Sequence, residues 1–380
     1  MPGEGERRLE DLVAELLKKS SNLTGRICPD VAESVGNLVR SMNCYYSNLI
    51  EGHNTHPRDI ERALADDYSD NQAKRALQLE ATAHIKVQEM IDLGEAPIDL
   101  VSINTISWIH KEFFQRLPEE LLWVTNPDTG SRIRVEAGTF RNSEVKVGHH
   151  VPPLASSLPA FLKRFAEAYN PSKLSQIRQV IAVAASHHRM LWIHPFYDGN
   201  GRVTRLFSHA YLRHIGIGNS LWSVSRGLAR EANKYKALLM QADQPRQGDL
   251  DGRGNLTQKG LVEFCAFFLS ICIDQIEYMS SILAPTELLQ RIEIYAAEEV
   301  QTKRLPNGAF SLLREAALAG SFDRGKAASI TGYKERQART VLTALLKKGL
   351  LTSDSPKGLI KLAFPIAIVE RYFPKLYPGL

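Results

Sequence analysis

Two apolar stripes separated by nine residues constrain this chain more than any other feature. Ile177, Val180, Ile181, Ala184, His188 and Leu191 recur at helical spacing, and Val203, Leu206, Phe207, Ala210, Tyr211 and His214 do so again after the string HPFYDGNGR at 194–202. Both segments are expected to be core-facing helices. The string between them is then a tight loop that runs straight into a helix N-terminus.

The same periodicity dominates elsewhere. Leu9, Leu12, Val13 and Leu16 form one stripe, and Val31, Val35, Leu38, Val39 and Met42 form another that continues to Leu49. Gly52 suits the first position past that helix, and Pro57 suits the first turn of the next, through Ile60 and Leu64. Further helices are expected over about 70–92, 99–114, from Leu158 and Ser175, over 261–283 and from Pro285. Residues 118–153 differ: alternation, turn residues and Pro152-Pro153 predict short strands or a hairpin. The fold class is therefore mainly all-α, with 380 residues allowing two or three domains.

No apolar run reaches membrane-span length and the N-terminus has no apolar signal core, which points to a cytoplasmic protein with no membrane partner. Cys28, Cys44, Cys265 and Cys272 form no CxxC pair and are expected as buried thiols. The 11 histidines form no HExxH or similar metal signature, and Walker and GxSxG motifs are absent. Residues 301–380 hold 14 Lys+Arg and 5 Asp+Glu, a net +9, whereas the whole chain is +5. Such a basic tail module can mark nucleic-acid binding.

The loop can be read as chemistry. A helix N-terminus offers unpaired backbone N–H groups and a positive dipole end, so it attracts anions. Gly199 and Gly201 allow close backbone approach to such an anion. Arg202 and Arg205 share one face of the first turn, where each opposes the dipole by roughly 0.3–1 kcal/mol. An anion with several charges, such as a polyphosphate, would compensate. Asp198 suits Mg²⁺ beside phosphates, because that ion takes few protein ligands. His194 suits proton abstraction from an attacking hydroxyl.

His194-Pro195-Phe196-Tyr197-Asp198-Gly199-Asn200-Gly201-Arg202, continuing to Arg205, resembles the HPFx(D/E)GNGRxxR signature of Fic-domain proteins at every defining position. The resemblance extends over roughly residues 30–283. It implies transfer of AMP from ATP to a Ser, Thr or Tyr hydroxyl of a protein, with Mg²⁺. By matching position, His194 would be the general base and Asp198 the metal ligand. Gly199, Asn200 and Gly201 would cradle phosphates, and Arg202 and Arg205 would neutralise the β- and γ-phosphates. Phe196 would anchor the loop. Doc-type kinases carry Lys where this chain has Gly201, which argues against kinase activity. GTFRNSEVKVGHHVPP, 138–153, resembles the family's flap, along which a target protein would lie by strand pairing. Tyr235 and Asp243 would contact adenine.

SNLIEG, ending in Glu51-Gly52, matches the inhibitory (S/T)xxxE(G/N) motif and stands N-terminal to the core, as in the family's second class. The resemblance implies that Glu51 pairs with Arg205 and blocks the γ-phosphate subsite. The same glutamate could orient water for AMP removal. Other readings are transfer of another phosphate-linked group, or a DNA-binding regulator whose core senses a nucleotide.

The domain boundaries expected are 1–100 for an N-terminal helical region, 101–284 for the Fic core, 285–304 for a linker helix and 305–380 for a winged helix-turn-helix. In the last, three helices precede two strands around an Asp-Ser-Pro-Lys-Gly turn, with core positions Ala338, Val341, Leu342, Leu345 and Leu346. Lys334, Arg336 and Arg339, within 334–348, would face DNA. Homo-oligomerisation is left open.

Overall fold

The computed structural model describes residues 1–377 apart from 26, 28, 126–129 and 149. Cys28 therefore lies outside the described residues. The chain is mainly helical and divides into two compact units: residues 1–21, 43–219 and 223–275, and residues 22–42, 220–222 and 276–380. The division falls inside three helices, α1 (Arg7–Thr24), α2 (Pro29–Ile50) and α11 (Gln258–Ile282).

The first unit also holds α3 (Pro57–Leu64), α4 (Gln72–Asp92), α5 (Ile103–Phe114), α6 (Leu158–Ala168), α7 (Gln176–Ile193), α8 (Asn200–His214), α9 (Val224–Arg230) and α10 (Ala232–Ala242). Helix starts follow side-chain caps. Asn71 Oδ1 accepts from the Lys74 N–H at 3.1 Å, and Ser102 Oγ accepts from Thr105 N–H at 3.2 Å. The second cap explains why α5 begins at Ile103 and not at Asp99. At the other end of α2, Gly52 adopts φ +87°, the left-handed conformation that stops a helix.

Helices α7 and α8 carry the centre of this unit's core. Val180 to His188 are buried without a break, as are Arg202 to Leu212. Both stripes lose one end to solvent. Ile177 is 42% exposed in the first turn of α7, and His214 is exposed as the last residue of α8. Cys44 and Cys265 are buried free thiols here, as is Cys272.

Residues 118–153 hold little regular structure. Strand β1 (Trp123–Thr125) pairs antiparallel with β2 (Arg132–Arg134), with Val124 opposite Ile133. In the segment expected as a flap, 138–153, pairing among the described residues is reduced to one bridge, in which Val147 and His150 exchange two 3.0 Å backbone hydrogen bonds. Side chains do the remaining work of positioning this segment.

The second unit contains α12 (Pro285–Gln301), α13 (Ala309–Ala319), α14 (Ala327–Thr331), α15 (Glu335–Lys347) and α16 (Ile366–Tyr372). Strands β3 (Ser321–Phe322), β4 (Leu351–Thr352) and β5 (Ile360–Leu362) form an antiparallel sheet in the order β3–β5–β4. Ala338, Val341, Leu342 and Leu345 on α15 are buried, while Lys334, Arg336 and Arg339 are exposed. Among the described residues, no helix is long and apolar enough to cross a membrane.

Candidate active site

Helix α7 ends where His194 turns left-handed, at φ 50° and ψ 63°, with its N–H bonded to Met190 O. A non-glycine residue held there is uncommon and costs free energy. The clamp comes from Arg141, a residue that periodicity does not single out. Its side chain is fully buried and donates from Nε to His194 O at 2.8 Å, and from Nη1 and Nη2 to Ser143 O and Pro153 O at 3.0 and 2.5 Å. One guanidinium thus ties both ends of segment 143–153 to the turn that presents His194. Tyr197 adds a second tether, its hydroxyl 2.6 Å from Asn142 Oδ1 and 2.8 Å from Ser143 Oγ.

The His194 imidazole is part-buried. Burial, reinforced by His150 and the Arg141 cation, lowers its pKa to about 4. It is therefore neutral at pH 7 and able to accept a proton.

The loop from 195 to 199 is fixed from inside. Phe196 is fully buried and stacks on His110, 3.8 Å between ring centroids, while His110 stacks in turn on Phe114. Gly199 has φ +77°, and a methyl group placed there would overlap the Phe114 ring. Asn200 is 3% exposed and its amide closes the loop: Oδ1 accepts from Phe196 N–H at 3.0 Å and Nδ2 donates to Phe196 O at 2.9 Å. Its side chain is thus occupied by the loop's own backbone, leaving only its main-chain N–H, with those of Gly201 and Arg202, at the start of α8.

Both arginines of the first turn of α8 are buried and partnered. Arg202 Nη1 bonds Glu80 Oε1, and Nη2 lies 3.1 Å from both Asp198 oxygens. Glu80 is fully buried on α4, and its second oxygen receives His53 Nδ1 at 2.8 Å. Burial opposes charge on Glu80, but His53 and Arg202 outweigh it and hold the carboxyl below its ordinary pKa. Asp198, whose side chain is 40% exposed, also accepts the Gly199 N–H at 2.6 Å.

Arg205 is 2% exposed and reaches the end of α2. Its Nη2 meets Glu51 Oε1 at 2.5 Å and Ser47 O at 3.1 Å, while Nε donates to Ser47 Oγ at 2.8 Å. Ser47 and Glu51, four apart, lie on one helix face, so a single guanidinium reads both. Burial alone would raise the Glu51 pKa, but Arg205 and Arg202 lower it overall. A methyl group on Gly201 would collide with Glu51 Oε1. The glutamate therefore lies directly over the helix start.

Tyr235 and Asp243 are held by the two histidines of α7. Tyr235, on α10, is 3% exposed, with its hydroxyl 2.7 Å from His187 Nε2 and beside the Arg205 side chain, so it is a core residue that backs the arginine cluster. Asp243 Oδ1 lies 3.0 Å from His188 Nε2 and Oδ2 3.6 Å from His150 Nδ1, while His150 Nε2 meets Trp192 O at 2.8 Å. The sequence reading singled out neither Glu80, His53 nor Arg141. Among the described residues, no group of three His, Cys, Asp or Glu is placed to hold a metal ion by itself.

Residues 100–212 match the Fic/DOC family. Over 82 residues the chain is 38% identical to the protein adenylyltransferase Fic of Drosophila erecta and 39% identical to that of Drosophila willistoni. The match takes in 22% of this chain but only 17% and 16% of those proteins' own lengths. In structure, a Fic family protein from Desulfovibrio desulfuricans G20 is similar over 96% of this chain and 98% of its own, with a TM-score of 0.57 at 15% identity. Fic-1 of C. elegans, residues 134–508, is similar over 72% of each chain with a TM-score of 0.51 at 17% identity. At these identities the likeness is one of fold.

Proposed function

Residues 100–212 form a Fic-family domain, and from that premise we propose that the chain is a protein adenylyltransferase held in check by Glu51. The observation that carries the reading is the arrangement around the start of α8: a neutral imidazole on one side, and two buried guanidiniums with open main-chain N–H groups on the other. ATP is the donor, and a Ser, Thr or Tyr hydroxyl of a protein is the acceptor. His194 takes the hydroxyl proton as the oxygen attacks the α-phosphorus. The bond to the β-phosphate breaks and pyrophosphate leaves, its charge met by Arg202 and Arg205. Gly201 leaves room for the phosphates, Gly199 shapes the loop by admitting the Phe114 ring beside it, and the N–H of Asn200 adds a donor. Magnesium arrives with the triphosphate. The partly exposed Asp198 fits such an ion, which takes one or two protein carboxylates and completes its shell with phosphate and water. Tyr235 and Asp243 are the residues assigned to adenine.

Glu51 occupies the Arg205 guanidinium that a γ-phosphate needs, so the enzyme rests inhibited. The target protein lies along 138–153, where Val151 stands 71% exposed, with Leu154 just past the segment 62% exposed. The test is incorporation of label from α- and γ-labelled ATP into acceptor proteins, with labelled UTP and CDP-choline alongside. Transfer of the α-label alone, abolished by His194→Ala, supports adenylylation. Transfer of another donor's group would replace it, and undiminished labelling by His194→Ala would remove the base assignment.

A second reading concerns the second unit alone. The exposed Lys334, Arg336 and Arg339 at the start of α15, followed by β4 and β5, favour a winged-helix module that contacts DNA phosphates.

A further inference from the structure

We propose that the first unit carries a second ligand site, a pocket for a nucleoside phosphate beside the C-terminal turn of α7. A cavity of about 980 Å³ opens between α6, α7, residues 252–258 and the N-terminal segment. Glu51, Asp198, Arg202, Arg205, Tyr235 and Asp243 all lie outside its lining, so it is distinct from the site above. The inference does not rest on the transferase reading.

Three arginines face this cavity: Arg164, Arg189 and Arg253. None of them is in an ion pair among the described residues. Arg164 and Arg253 are exposed, and Arg189 lies over the Trp192 ring at 5.1 Å. Glu4 is the acid on the lining. Three guanidiniums around one concavity repel each other, and a multiply charged anion is the group that would balance them. Their forked donors match phosphate oxygens in pairs.

The remaining wall is aromatic. Phe161 and Trp192 meet edge to face, 5.4 Å between centroids, and Phe165 and Tyr169 continue the surface. Such a wall suits a planar ring, and Arg189 over Trp192 already shows the stacking it supports. Asn255, Thr257 and Gln258 supply polar groups for a base or a ribose.

The far side is close-packed. Arg178 donates to Gly3 O and Pro2 O at 2.9 and 2.8 Å, which pins the N-terminal segment. Methyl groups on Gly3 and Gly252 would come within 2.9 and 2.6 Å of the Gln258 side-chain amide. A partly open, largely apolar hollow with a few converging polar groups is a common form of small-molecule site. Bare phosphate would satisfy the arginines but leave the rings unfilled, so a ligand that joins a ring to a phosphate fits best.

The test is calorimetric titration of the full chain with AMP and, separately, with inorganic phosphate. Saturable AMP binding is expected, weakened about tenfold or more in the Arg164→Gln/Arg253→Gln double variant, since a charge-assisted bond is lost at each position. Both positions are exposed, and a matching Lys/Lys variant should recover part of the affinity. Equal AMP affinity in wild type and the Gln double variant would place AMP on the α8 loop and overturn the proposal, as would no saturable binding in wild type. Phosphate binding as tight as AMP would overturn the nucleoside part. Photolabelling of wild type with 8-azido-AMP gives an independent readout, expected within 161–192 or 252–258 and contrary if confined to 194–205.

Discussion

Replacing Glu51 by Gly removes one contact of Arg205 and leaves the two it makes to Ser47. The lost contact is a 2.5 Å hydrogen bond between charged groups, one of them only 2% exposed. A bond of that kind contributes about 1.5–3 kcal/mol net. If a triphosphate must displace it before Arg205 can take the γ-phosphate, deletion raises the competent fraction by about 10- to 150-fold. The Glu51 side chain is 32% exposed, so water already weakens the pair and the lower half of that range applies. Glu51→Gln keeps a hydrogen-bonding group without the charge and should give a smaller rise. Because Ser47 still holds Arg205 from its hydroxyl and carbonyl, stability should fall by only about 1–2 kcal/mol, measurable by urea denaturation. The assay is initial-rate label transfer from α-labelled ATP. Equal rates for wild type and Glu51→Gly, with both folded, would refute the argument, because the ion pair would then not compete with substrate. A rise in Glu51→Gln that matches Glu51→Gly would show that charge alone is the operative property and that the hydrogen bond adds nothing.

Two further outcomes follow from the geometry. His194 binds its proton more weakly than a free histidine, with a pKa of about 4, so transfer should stay level from pH 8 to about pH 6 and fall only on further acidification. By the same sign, the folded state loses stability as pH drops below about 6.5 toward that value, so rates should be taken after checking the fold; an acid limb centred at pH 6.5 or above would contradict the low pKa. For the second unit, a gel shift with duplex DNA should weaken steeply with added salt and be lost in the Lys334→Ala/Arg336→Ala/Arg339→Ala variant. Retention in that variant would move the contact away from α15.

Helix ends were readable because local chemistry sets them. Gly52 ends α2 at a positive φ and Pro57 opens α3, each as its residue type demands. The nine-residue string likewise announced a loop and a helix start. Partnerships were less legible. Glu51 and Arg205 are 154 residues apart, and it was the motif resemblance, not periodicity, that linked them. Glu80 and Arg202 are separated by 122 residues, and an acid in a helix carries no mark that it will be buried. Arg141 reads as one more loop cation until its four carbonyl partners come together in space. The short β3 and α16 were missed for a related reason: two residues of strand, or seven of helix, hold no period long enough to detect. Asn200 shows the converse, a side chain that suggests ligand contact and instead closes its own loop.

The absent side chain at position 201 limits how the restraint can be altered. The space left by one missing methyl is where the restraining carboxylate sits and where an incoming phosphate would have to sit. No residue larger than glycine there could abolish the one without also obstructing the other. The restraint is therefore open to change at the acid or at its serine neighbour on the opposing helix while the floor at position 201 stays as it is.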